Sequence, residues 1–109
     1  MAPSRRNHII QAITETAKAV APKGTKVILF GSQARGDAQQ DSDWDLLILL
    51  DKDKLEKSDY DFVAYPFREL GWDTGEDINP IMYTKKQWQD FSFTPFFKNV
   101  EKDKIVLVR

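Results

Sequence analysis

An α/β (α+β) fold, a small mixed β-sheet with helices packed on it, is the class this sequence predicts, on three observations. Short apolar runs at residues 26–30, 45–50, 78–83 and 105–108 are each too brief for a helix and suit buried strands. Segments with helical spacing of apolar residues lie before and between them, the element order of an α/β sandwich. Pro80, inside the third run, cannot donate to a strand ladder, so that strand belongs at an edge or a bulge and the sheet is mixed rather than all-parallel.

The elements follow in order. Residues 4–21 read as an amphipathic helix, with Ile9, Ile13 and Val20 at helical spacing, Ser4 as its cap, and Pro22 and Gly24 at its end. The strand at 26–30 runs into Gly31-Ser32, which opens a short helix over 32–38; residues 37–42 form a polar loop. The run at 45–50 is apolar after Asp45, with Leu46, Leu47, Ile48 and Leu49, and suits a central strand. After a charged connection at 51–57, Ser58-Asp59-Tyr60-Asp61 reads as a helix start with an acid three residues after a serine. That helix is expected to carry Phe62, Tyr65 and Leu70 inward, to be perturbed by Pro66, and to break at 71–75. Thr84 caps a helix through Trp88 to Phe91, and Thr94-Pro95 opens another through Val100 before the last strand.

At 109 residues the chain is expected to form one domain, 1–109, with an ordinary globular balance of 41% apolar and 30% charged residues. A formal net charge of -1 gives no overall attraction to nucleic acid or to an anionic membrane, so direct binding to either is not expected. The absence of cysteine excludes disulfides, zinc–thiolate sites and thiol nucleophiles. It also fits a reducing compartment, and with no signal-like or membrane-spanning run a cytoplasmic location is expected.

The chemistry is concentrated between residues 30 and 46. A strand that ends in Gly-Ser and opens a helix points unpaired backbone N–H groups at one spot, a natural seat for phosphate. Gly31 lets that backbone approach closely, Ser32 adds a hydroxyl, and Arg35 stands one turn on as a further cation. Asp43 and Asp45 are two apart, so on a strand they share a face at roughly 6.5–7 Å along the backbone and can converge on a hard cation. Magnesium suits such a pair, because it takes few protein carboxylates and completes its shell with water and substrate phosphates. Separately, a Gly-Ser turn and an Asp-x-Asp are commonplace. Together they place anion and metal sites side by side, as phosphoryl and nucleotidyl transfer require.

Gly31-Ser32, ten residues, then Asp43-x-Asp45 resembles the signature of the polymerase-β-like nucleotidyltransferases. The fuller Gly-Ser-x-Ala-Arg-Gly and Ser-Asp-x-Asp-Leu look like the minimal nucleotidyltransferase group within that superfamily. The resemblance implies a mixed-sheet nucleotidyltransferase fold and an Mg2+-dependent transfer of a nucleoside monophosphate, from a triphosphate such as ATP to a hydroxyl. It implies that Gly31 and Ser32 bind the triphosphate and that Asp43 and Asp45 bind metal. Active members carry a third carboxylate on a neighbouring strand. Here the matching position holds Asn79, and Asp77, two residues earlier on the same face, is the substitute; Glu76 points the other way.

Short members of that group act beside a helical partner of the HEPN type and serve as its antitoxin, so by resemblance a HEPN-type partner is expected; a homo-oligomer is left open. The rival is a non-catalytic binding module of the same fold, which Asn79 and the many aromatics of the second half favour. His8 reads as a surface residue, Trp44 as a core residue facing away from the acids, and the lysines at 85, 86 and 98–104 as solvated. No Gly-x4-Gly-Lys-Ser/Thr run exists, which disfavours a P-loop kinase or hydrolase.

Overall fold

The structure, a computed structural model, describes residues 4–39 and 42–109. Met1 to Pro3, and Gln40 and Asp41 of the expected polar loop, lie outside them. Four strands form one sheet in the order β3-β2-β1-β4, where β1 is Lys26–Phe30, β2 is Trp44–Leu50, β3 is Ile78–Thr84 and β4 is Ile105–Val108. β1 runs antiparallel to β2 and to β4, while β2 and β3 are parallel. The sheet is mixed, as expected, and β3 with its Pro80 is an edge strand.

Parallel β2 and β3 need a crossover, and the helical stretch from Lys57 to Thr74 supplies it. It comprises α3 (Lys57–Asp59), a π-helical turn (Tyr60–Ala64) and α4 (Tyr65–Thr74). The start differs from expectation. Glu56 is the cap, in a reciprocal pair with Asp59 whose carboxylate accepts the Glu56 N–H at 2.8 Å, so the acid three residues on is counted from Glu56 and not from Ser58. Pro66 is accommodated by the π turn just before it, where the Tyr65 N–H reaches back to the Tyr60 carbonyl.

The inward face of this stretch is also corrected. Val63, Ala64 and Phe67 are buried, whereas Phe62 is 73% and Tyr65 46% exposed. Both sets obey helical spacing, and close packing decides between them. Gly71 lies so near the β3 approach that a Cβ there would stand 2.7 Å from the Glu76 carbonyl oxygen, so α4 lies close against β3 on the face that buries Phe67.

α1 (Arg5–Val20) packs on the same side of the sheet. Ser4 caps it by accepting the Asn7 N–H at 3.1 Å, and Ile9, Ile13 and Ala17 form its buried stripe. These residues join Val27, Leu29, Leu46, Ile48 and Phe67 in the larger core. The opposite face carries a smaller core in which Ile28, Phe30, Leu47 and Leu49 meet Trp88 and Val100. Trp88 comes from α5 (Lys85–Asp90), capped by Thr84 with Gln87 reciprocating. Val100 comes from α6 (Pro95–Asp103), capped by Thr94 with Pro95 in its first turn. Trp88 lies 4.8 Å from Phe97 and 5.7 Å from Phe96, ring centre to centre, which accounts for much of the aromatic excess.

Because the Glu76 carbonyl is backbone and cannot swing aside, Gly71→Ala is expected to destabilise the fold by about 1–3 kcal/mol. Urea unfolding checks this: the midpoint should fall with the slope unchanged.

Candidate active site

The site is built at the end of the sheet where β1 leaves and β2 enters. Phe30, the last residue of β1, pairs with Asp45, and Asp45 pairs on its other side with Asn79 of β3. The chain then bends at Gly31, with φ +76° and ψ −161°, into α2 (Ser32–Arg35). A Cβ at position 31 would stand 2.5 Å from Asp45 Oδ2. The bare Cα of the bend is therefore what makes room for the aspartate carboxyl.

α2 is a single turn, shorter than the predicted 32–38, because Gly36 in the left-handed region closes it with its N–H on the Ser32 carbonyl at 3.0 Å. Its dipole is correspondingly small, and the donors that remain are local. Among the described residues, the Ser32 and Gln33 N–H groups have no protein acceptor.

The predicted acids come together. Asp43, Asp45, Asp77 and Asn79 lie on the sheet face away from Trp44 and Glu76, as strand alternation requires. The Asp77 carboxyl lies near that of Asp43, and Asn79 stands beside Asp45 across the β2–β3 ladder. The Trp44 N–H donates to the Asp77 carbonyl at 2.8 Å, tying the two strand starts. Burial first, then the charge of Asp43 and more weakly that of Asp77, push the Asp45 carboxyl above its ordinary pKa, while the Asn79 bond opposes the rise. Asp77 is pushed up by its hydrogen bond with Asp43 and by that residue's charge, with a smaller contribution from desolvation, and Arg68 pulls it back.

Among the described residues no three His, Cys, Asp or Glu side chains form a preformed metal cage. The observed donors are carboxylates that repel one another at an open strand end, beside a cradle that a Cβ would fill. That set fits a hard cation completing its shell with water and phosphate.

Arg35 is placed differently from its nearest phosphate-binding expectation. Its guanidinium donates to Asp37 at 3.1 Å and to Asp103 of α6 at 3.0 Å, so a phosphate would have to displace one of them. His8 is exposed and Trp44 is buried, both as expected.

The reading of the sequence missed the role of Glu76. Its Oε1 accepts the Trp44 indole N–H at 2.8 Å and its Oε2 accepts Arg5 at 2.8 Å. Burial works to raise its pKa, but the bonds from Arg5 and Trp44 outweigh it and its carboxyl titrates below the ordinary range. The available signal was that a buried indole N–H needs an acceptor, and Glu76 has the right parity to supply it. Glu76 lines two hollows. One, about 350 Å³, lies between Arg68, Trp72 and Asp77; the other, about 510 Å³, opens near Arg5, Arg6 and Gln33, on the Trp44 side of the sheet away from the acids.

A mixed sheet with a Gly-Ser bend set against an aspartate of the next strand defines an α+β domain of the nucleotide-transferring class. The nucleotidyltransferase domain family matches residues 10–107, and the chain belongs to it. Among solved structures, a chain from one described as "Crystal structure of the toxin-antitoxin with AMP-PNP" is similar, with a TM-score of 0.60 and 19% identity over 96% of this chain and 73% of that one. At that identity the likeness is one of fold. No curated protein matches the sequence. Among the described residues no helix is long and apolar enough to cross a membrane.

Two outcomes follow from the geometry. Gly31→Ala combines a positive φ with a clash on Asp45, so it is expected to lower the thermal midpoint and to weaken ATP affinity, read by calorimetry. The pH effect of Asp77 has a definite sign. An acid whose folded pKa is raised favours folding below its unfolded pKa, and that contribution is lost as pH rises through the folded value. Without divalent metal, Asp77→Asn is therefore expected to gain thermal stability over the parent as pH rises from the ordinary carboxylate range towards neutrality, and to show no gain at pH 3.

Proposed function

We propose that this chain is an Mg2+-dependent nucleotidyltransferase that moves a nucleoside monophosphate, AMP by preference, from the triphosphate to a hydroxyl of a partner protein or small molecule. The observation that supports this reading best is the contact between the bare Cα of Gly31 and the Asp45 carboxyl, which sets a phosphate seat against an acid cluster. In this scheme the Ser32 and Gln33 N–H groups and the Ser32 hydroxyl hold the triphosphate. Asp43 and Asp45 hold the cation. Mg2+, when bound, neutralises charge on the phosphates and on the leaving pyrophosphate. Asp77, beside Asp43, takes the proton of the acceptor hydroxyl as its oxygen bonds to the α-phosphorus and pyrophosphate leaves. Asn79 orients Asp45 and takes no proton.

The family membership supports nucleotidyl transfer. The solved toxin-antitoxin structure contains AMP-PNP, an ATP analogue, and supports ATP as donor and a protein as partner. We further read the chain as the antitoxin of a pair with a HEPN-type helical toxin, on the motif resemblance together with that neighbour. A second reading, a non-catalytic binding module, is favoured by Asn79 at the family's third acid position and by the exposed Phe62, Trp72 and Phe93.

The test uses ATP labelled at the α-phosphate, Mg2+ and a candidate partner, with transferred label and released pyrophosphate as readouts. The parent is expected to label the acceptor. Asp43→Asn and Asp45→Asn should lower the rate on the order of 10²–10³-fold, the worth of several kcal/mol of charge stabilisation. Binding of partner and ATP with no turnover would establish the module instead.

A further inference from the structure

Glu76 does no chemistry in the scheme above, yet it is tightly tied to the segments that do. Its side chain is 16% exposed and lies across the sheet from Asp43, Asp45 and Asp77. Oε1 accepts the Trp44 indole N–H at 2.8 Å. Oε2 accepts both Arg5 Nε, at 3.2 Å, and Arg5 Nη2, at 2.8 Å. The same Nη2 reaches the Thr74 carbonyl at 2.6 Å, at the end of α4. Trp44 is 2% exposed, stands in sequence between the two aspartates, and donates its backbone N–H to the Asp77 carbonyl at 2.8 Å.

Asp77 and Trp44 are thus joined twice, once through the backbone and once through the side chain of the residue preceding Asp77. The first bond lies at the strand start, where a ladder frays. The second is anchored in the core by a buried indole. Loss of Glu76 would leave that indole N–H unpaired and the 75–77 segment held by the backbone alone. The acids repel one another, so they would separate without a brace.

We propose that Glu76 is a positioning residue: its bond to Trp44, backed by Arg5, holds the Asp43–Asp45 segment and Asp77 at a fixed separation. The consequence for metal binding rests on the proposed nucleotidyltransferase reading; the brace itself does not.

The experiment uses the full chain with two readouts on Glu76→Ala and Glu76→Gln. The first is hydrogen exchange by NMR of the backbone amide at position 44, compared with those of Leu47 and Ile48 in the same strand. Glu76→Ala is expected to speed exchange at position 44 about tenfold while the other two keep their rates, as local opening does. Glu76→Gln, whose amide oxygen still accepts the indole N–H, should restore most of the protection. Equal acceleration at all three positions, or none at position 44, overturns the brace. Should Glu76→Ala not fold, Trp44→Phe removes the same bond while filling the core, and must give the same pattern.

The second readout is Mg2+ titration in the presence of ATP. The half-saturating Mg2+ concentration should rise on the order of 10–100-fold in Glu76→Ala, as for partners that orient metal ligands, with ATP affinity at saturating Mg2+ unchanged. An exchange effect in a parent that binds no Mg2+ and ATP would sink the nucleotidyltransferase reading and leave the brace standing. Normal binding by the parent with an indistinguishable Glu76→Ala would do the reverse.

Discussion

The site depends on one steric fact, that position 31 has no room for a side chain. Asp45 Oδ2 occupies the space a Cβ would take, because Phe30 and Asp45 are paired directly across β1 and β2. The register that sets this pair is enforced elsewhere. Val27 and Leu29 of β1, with Leu46 and Ile48 of β2, fill one core, while Ile28, Leu47 and Leu49 fill the other. A slip of one residue would exchange the two faces and carry Asp45 into the apolar layer beneath α1, an unpaired charge in a dry core. The hydrophobic packing of both faces therefore holds an aspartate against a bend several residues away.

The two faces of the sheet differ in what they tolerate. Under α1 and α4 the core is continuous from Ile78 to Leu50, and Trp44 with Glu76 closes it at the site end. On the other face the apolar cluster around Trp88 stops before the strand end, and Asp43, Asp45, Asp77 and Asn79 take over. Asp45, raised by burial and then by the charge of Asp43, and Asp77, raised by its bond with Asp43 and that residue's charge, oppose folding at neutral pH, and stability alone would not select them. Such a local conflict, on a sheet otherwise consistent in propensity, pattern and packing, is the signature of a functional place.

Most of the architecture was legible because strands announce themselves by short apolar runs. β1 was read at its observed bounds and β2 and β3 to within a residue, since each is a short, mostly apolar run bounded by polar or turn residues. The α3–α4 stretch was less legible. Phe62 and Tyr65 share a helical face, as do Val63, Phe67 and Leu70, and periodicity cannot choose between them. The choice lies in the core that Val63, Ala64 and Phe67 share with Ile9 and Ile13 of α1 and with Leu46, Ile48 and Ile78 of the sheet, partners that no local window contains. Arg35 shows the same limit: its partner Asp103 is 68 residues away. Glu76 was assigned its correct parity but no role, because the meaning of that parity comes from the indole it meets.

The side chain at position 79 is where the enzymatic and non-catalytic readings diverge, and the register argues for both at once. Asn79 stands directly opposite Asp45, so the strand offers that place to an amide and not to a carboxylate. An amide cannot accept the proton of an attacking hydroxyl, which weighs towards a binding module. It lowers the pKa of the neighbouring Asp45 and spares the cluster a further like charge. On the acid-bearing face of β3's approach the remaining carboxylate among the described residues is Asp77, whose pKa its bond with Asp43 and that residue's charge raise above the ordinary value. A base is most effective when its pKa approaches the working pH, so the shift that costs Asp77 stability also suits it to proton transfer. The enzymatic reading accordingly stands on Asp77 and its fixed distance from Asp43, and Asn79 counts against it only if that distance is not held.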